Sequence, residues 1–176
     1  ILKTLVAMVS PVLSFTAEEV WKYMPKEDGM PESVMLQDWP QGYPEHFNQE
    51  LADKWSQLLD LRTSVQKALE LARQNKTIGH PLDASVTVYA EGTAFDALNA
   101  LGEEGLAKLV IVSEAHIVNG AAPAEAVKDE ETGVATVVAP SELQKCERCW
   151  IHRDTVGQDS EHPTLCHRCA EVVKAL

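Results

Sequence analysis

Cysteine is missing from the first 145 residues of this 176-residue chain, and the four that follow form two close pairs, Cys146/Cys149 and Cys166/Cys169. A secreted disulfide framework spreads its cysteines through the fold, so this distribution indicates metal binding in a reducing cytoplasm. Long apolar runs are also lacking, and nothing reaches the length needed to span a membrane as a helix. The apolar N-terminus offers only Lys3 as a basic flank, with Glu18 and Glu19 soon after and no cleavage signal, so it does not read as a signal peptide. An initiator Met is absent and the chain starts inside an apolar periodic segment, which reads as a piece of a longer protein. Basic excess is absent too. Lys and Arg number 15 against 27 Asp and Glu, a net charge of −12, which argues against a free-standing nucleic-acid binder. That objection weakens if the chain is one part of a larger machine. No glycine-rich phosphate cradle, internal repeat or low-complexity tract occurs. Hydrophobic content of 45% is that of a globular protein.

Periodicity divides the rest. Leu2, Leu5, Val6, Val9 and Leu13 follow a 3.6-residue repeat, broken near Pro11, and Thr16 to Glu19 fits a capping box ahead of Val20 and Trp21. Pro25 ends that helix. Residues 25–44 read as a connecting loop with an extended piece at Val34–Leu36. Residues 45–77 form the longest helical pattern, with Leu51, Trp55, Leu58, Val65, Leu69 and Ala72 on one face, stopped by Gly79 and Pro81. This helix is expected to pack on the first two as a bundle. From Leu82 the pattern changes. Ala84–Ala90, Leu109–Val112, His116–Val118 and Val134–Val138 read as strands, Thr93–Leu101 as a helix, and 120–133 as a hairpin or loop. The fold class is therefore α+β and mainly helical. It has an antiparallel helical bundle over 1–81, a small α+β junction unit over 82–141 and a four-cysteine zinc-finger module over 142–176.

The strongest chemical signal is Cys146-x2-Cys149, sixteen residues, then Cys166-x2-Cys169. Two residues between cysteines let one tight turn aim both sulfurs at one ion, and two such turns complete a tetrahedron. Four thiolates leave no open position, so one structural Zn2+ is expected, and iron is the less favoured occupant. A short module with few apolar side chains needs such a staple. His152, His162 and His167 lie close by and read as surface histidines beside four thiolates. Lys145, Arg148, Trp150, Arg153 and Arg168 surround the pairs. An aromatic beside cations is the combination that stacks on an unpaired base and holds its phosphates. Trp150 also reads equally well as the module's only sizeable core residue.

Residues 54–80 carry Lys54, Arg62, Lys67, Arg73 and Lys76 against Asp60 and Glu70. Arg62, among Leu58, Val65 and Leu69, is expected half buried in an inter-helix ion pair. The alternative is that the basic side chains, Arg73 and Lys76 among them, line an open groove beside the bundle. Glu18 and Glu19 diverge by about 100° on a helix, so they are not a catalytic pair.

Three segments in order, Ser10–Trp21, Leu61–Tyr89 and Lys145–Cys169, resemble the C-terminal part of bacterial isoleucyl-tRNA synthetases, and the resemblance covers nearly the whole chain. A related finger also ends some DNA-repair glycosylases, whose upstream domains do not look like residues 1–90. The resemblance implies a cytoplasmic class I ligase joining isoleucine to tRNA(Ile) with ATP and Mg2+. It implies a monomer with no membrane association, working with the remainder of the synthetase in cis. By matching position, Cys146, Cys149, Cys166 and Cys169 are its zinc ligands. Trp150, Arg148, Arg153 and Arg168 become its candidate tRNA contacts, with Arg73 and Lys76. The family's two adenylate-site signatures are missing; Ile78-Gly79-His80 half-mimics one but lies in a helix stop. No catalytic residue is expected in this chain.

Overall fold

The computed structural model describes all 176 residues. They form six helices and a four-stranded sheet, gathered in two compact units, Ile1–Asn48 and Gln49–Leu176.

The first unit holds α1 (Leu2–Val9) and α2 (Ser14–Tyr23), with the break where Pro11 falls. Its core is Val6, Ala7, Ala17, Trp21 and Val34. Trp21 is fully buried, and its indole N–H donates to the Pro31 carbonyl at 3.0 Å, so the ring ties the returning loop to the helix pair. Two local expectations change. The α2 helix starts at Ser14 with Leu13 at the N-cap, which leaves Thr16 inside the first turn rather than capping. Val34–Leu36 is a 3-10 turn capped by Ser33, not an extended piece. The short polar side chain of Ser33 bonds the Met35 N–H and closes the turn locally.

In the second unit, α3 (Gln49–Gln74) buries Leu58, Leu61, Val65, Ala68, Leu69 and Ala72. The amphipathic stripe is real, but its partner is the sheet. Of these, Leu61, Val65, Leu69 and Ala72 share one core with β1 (Ala84–Ala90), α4 (Gly92–Leu101) and α5 (Glu103–Val110). A sheet face offers a broad, flat apolar surface that a single helix covers well. Leu51 and Trp55, at the start of the stripe, stay exposed. Arg62 is half buried as expected, yet its partner is the Leu109 carbonyl at 3.0 Å. That carbonyl lies in the last turn of α5, where unpaired carbonyls and the helix dipole attract a cation.

The sheet order is β2-β1-β4-β3, with β2 Glu114–Asn119, β3 Val127–Lys128 and β4 Ala135–Pro140. Along β1, Ala84, Val86, Val88 and Ala90 are buried and Ser85, Thr87 and Tyr89 face the other way, as the alternation predicts. β1 and β2 are parallel and β1 and β4 antiparallel. A parallel pair needs a crossover, and α4 and α5 supply it. The Leu109–Val112 run is therefore not a strand: it ends α5, and Ile111 (φ 63°) turns the chain before β2. Glu103 at the start of α5 accepts the Ile117 N–H of β2 at 3.1 Å.

The α3 helix stops at Lys76 (φ 59°), ahead of Gly79, with the Thr77 N–H bonded to the Ala72 carbonyl at 2.9 Å. This is a left-handed helix cap occupied by a residue that pays a steric cost there. Lys76→Gly should raise stability by about 0.5–1 kcal/mol, read as an upward shift in thermal midpoint. Lys67 donates to Asp129 at 2.7 Å and, with the Thr132 N–H, holds that carboxyl down to about 2 from an ordinary 3.8. The resulting stability is complete above pH 3.8 and fades as the pH falls through 2. Asp129→Asn should therefore lower stability at neutral pH and flatten acid denaturation over that window.

Candidate functional site

The C-terminal module is organised by its sulfurs. Cys146 to Trp150 forms one tight turn, in which the Trp150 N–H donates to the Cys146 carbonyl at 2.8 Å. The second turn runs through Leu165 into α6 (His167–Lys174), whose N-cap is Cys166. One sulfur-bearing residue thus sits at a helix start, where backbone N–H groups favour negative charge. The Cys146, Cys166 and Cys169 residues are buried and Cys149 partly so, and all four are free thiols. Their sulfurs lie within 4.8 Å of one another, and those of Cys149 and Cys166 are 3.8 Å apart. A tetrahedral zinc ion with bonds of about 2.3 Å sets sulfurs about 3.8 Å apart, so this donor set fits one such ion. Polar hydrogens converge on the same place. The Cys166 N–H points to the Cys146 sulfur at 3.3 Å, and an Arg148 guanidinium N–H points to the Cys169 sulfur at 3.7 Å.

Burial pushes the Cys149 thiol up to about 12 and raises Cys166 as well. At Cys146 burial acts in the same direction. Three backbone N–H groups, from Cys149, Cys166 and Arg148, outweigh it and hold that thiol at about 6. Burial therefore favours protonated thiols at Cys149 and Cys166, and a divalent cation would reverse that preference by replacing the protons.

The residues around the cluster separate. Trp150 is 61% exposed, so it is not the core of the module. It also sits in the left-handed region at φ 65°. Glycine would serve the turn at lower cost, so an exposed tryptophan there is not explained by folding. Arg148 shares its knuckle and is exposed, as is Arg168 in the first turn of α6. Arg153 behaves differently. It is half buried in a cavity of about 410 Å³ lined by α5, β2 and Ile151, and its Nε is buried without a partner. On α3, Arg73 forms a two-bond ion pair with Glu70 at 2.7 and 2.9 Å, and Lys76 is exposed at the helix end.

Sequence reasoning missed a third set of residues. His152, expected on the surface, has only 15% of its side chain exposed and takes no part in the sulfur cluster. It lies against Asp83, Ser113 and Leu143. Lys145 donates to Asp83 at 2.9 Å and holds that carboxyl below the usual range against the opposing effect of burial. Only a weak sequence signal marks this cluster: the alternation of Lys145 and His152 across the first knuckle, which are bridged as an isolated antiparallel pair.

Residues 1–88 match the anticodon-binding domain of tRNA ligase. The chain belongs to that family. Residues 144–172 match a zinc finger described as found in FPG and IleRS, which agrees with the four-sulfur cluster and supports a structural zinc. Among relatives of this anticodon-binding family member, the isoleucine–tRNA ligase of Syntrophomonas wolfei subsp. wolfei is 47% identical over all of the chain and 19% of its own length. That of Moorella thermoacetica is 44% identical over 99% of the chain and 19% of its own length. That of Geobacter sulfurreducens is 42% identical over 99% of the chain and 18% of its own length. The chain thus spans about a fifth of the length of the curated relatives it matches.

Native mass spectrometry should find one zinc ion per chain. Chelation should open residues 142–176 to protease while the sheet persists, and acid should release the ion because each thiolate that regains a proton leaves the metal.

Proposed function

We propose that this chain is the C-terminal tRNA-recognition portion of an isoleucine–tRNA ligase. It binds the anticodon stem-loop of tRNA(Ile) so that a catalytic domain elsewhere in the protein can attach isoleucine, using ATP and Mg2+. The observation that carries the reading is Trp150: an exposed indole held in a costly backbone conformation, beside Arg148, on a turn braced by buried sulfurs. A rigid aromatic next to a cation suits stacking on an unpaired base. The anticodon-binding family match at residues 1–88 and the full-chain likeness to isoleucine–tRNA ligases support the assignment.

Under this reading Cys146, Cys149, Cys166 and Cys169 hold one zinc ion whose chemistry is structural: it fixes the two turns and has no free coordination position. Arg148 and Arg168 meet phosphates near the stacked base, and Arg153 contributes from the side of the cavity. Arg73 exchanges its Glu70 carboxylate for a phosphate, a feasible swap because the pair is exposed, and Lys76 adds a second cation one turn along. The anticodon-binding region comprises residues 1–81, which places α3 within it although its apolar face serves the sheet. Residues 82–141 form the junction and 142–176 the finger. The whole ligase works as a monomer in the cytoplasm. Catalysis is carried by none of the residues here.

A DNA-lesion reading draws on the same finger, since its family description includes FPG. The two readings separate on ligand. Trp150→Ala should weaken binding to an anticodon stem-loop of tRNA(Ile) about tenfold with the thermal midpoint unchanged. Arg168→Ala should lower the slope of log affinity against log salt by about one unit. Preference for an abasic-site duplex over the stem-loop would replace the tRNA reading, and a Trp150→Ala protein with wild-type RNA affinity would leave the finger as a structural brace.

A further inference from the structure

The finger carries a set of contacts separate from both the sulfurs and the exposed Trp150 face, and they converge on His152. Its backbone N–H donates to the Ser113 hydroxyl at 2.7 Å, and that hydroxyl donates to the Leu82 carbonyl at 2.5 Å. A histidine from the finger is thereby bonded through one side chain to the segment preceding β1. The ring adds one further constraint. Its Nδ1 lies 2.7 Å from the Leu143 carbonyl. A carbonyl only accepts, so Nδ1 carries the hydrogen. That orientation leaves Nε2 facing Asp83 Oδ1 at 3.4 Å with no hydrogen bond of its own, while that oxygen accepts from Lys145 at 2.9 Å. Asp83 is itself fixed, since its other oxygen accepts the His80 N–H at 2.9 Å.

We propose that His152 is a positioning residue, locking the finger to the α+β unit in one orientation and so setting the angle at which Trp150 meets its base. The proposal rests on the RNA reading given above for its functional half; the mechanical half stands without it. His152 is two residues from Trp150. The path between them is short and braced, because the Ile151 carbonyl accepts the Cys146 N–H at 3.0 Å. Rotation at His152 is therefore transmitted to the first knuckle. The rest of the junction consists of Ile151 and Arg153 along the cavity by α5 and β2, the Lys145–Asp83 ion pair at 2.9 Å and the connecting residues 141–145. Units joined by a small interface move relative to each other by default. A few directed hydrogen bonds are then what select one orientation, and stacking demands one.

The test uses the 176-residue zinc-loaded chain. In the wild type, amide 15N relaxation should give one tumbling time for residues 84–140 and 146–170. In His152→Ala the finger should retain one zinc ion but tumble with extra independent motion, and affinity for the tRNA(Ile) anticodon stem-loop should fall about tenfold. His152→Asn, whose amide can still donate to the Leu143 carbonyl, should recover part of both. In a Trp150→Ala background His152→Ala should add little further loss, because both act through the same contact. Unchanged relaxation in His152→Ala, or losses that simply add with Trp150→Ala, would overturn the proposal. If His152→Ala fails to retain zinc, Ser113→Ala decides instead by the same two readouts, since it removes the acceptor of the His152 N–H from outside the finger. A wild-type chain indifferent to the stem-loop refutes the RNA reading, while the relaxation comparison still decides the joint.

Discussion

Everything distinctive about the C-terminal module depends on bringing four sulfurs within 4.8 Å of one another in a segment with almost no other core. Burial makes the Cys149 and Cys166 thiols resist ionisation, yet a backbone N–H and Arg148 point at the neighbouring Cys146 and Cys169 sulfurs as if at negative charge. Those two tendencies are reconciled when a divalent cation occupies the centre. Four thiolates and one divalent ion leave a net charge of about −2 by simple addition, and the converging N–H groups offset it. An ion held there would fix the shape of both turns and, through them, the direction in which Trp150 projects.

The second unit shows the same economy of means at larger scale. A long amphipathic helix, α3, covers one face of a small sheet, and the crossover helices α4 and α5 complete the covering. The finger then joins the sheet through polar groups that gather at the start of β1: Asp83, Ser113, Lys145 and His152. Hydrophobic packing builds the platform and directed hydrogen bonds orient what stands on it.

The parts legible in the sequence were those with a strict local period or covalent spacing. Val86 and Val88 alternate with Ser85 and Thr87, so β1 was readable to the residue. The cysteine pairs were readable because two intervening residues specify a turn. An amphipathic stripe is less informative. It shows that α3 buries one face but not what covers that face, and the sheet lies against it. Leu109–Val112 looked like a strand because a short apolar run has no period of its own; the acidic first turn at Glu103 and Glu104 was the signal for α5. Trp150 was undecidable from its neighbours, since a left-handed backbone at a tryptophan has no sequence signature. His152 was hidden for a related reason. Its partners lie 39 and 69 residues away in sequence, at Ser113 and Asp83.

At the margin of the sheet, β2 has a neighbour on one side only. An open strand margin is an invitation to any extended chain that passes, including another copy of the same protein. Here the Glu103 carboxylate already occupies the Ile117 N–H on that margin. A foreign strand seeking to register there would have to break that hydrogen bond first. The side chain that fastens α5 to the sheet therefore also covers part of its open edge.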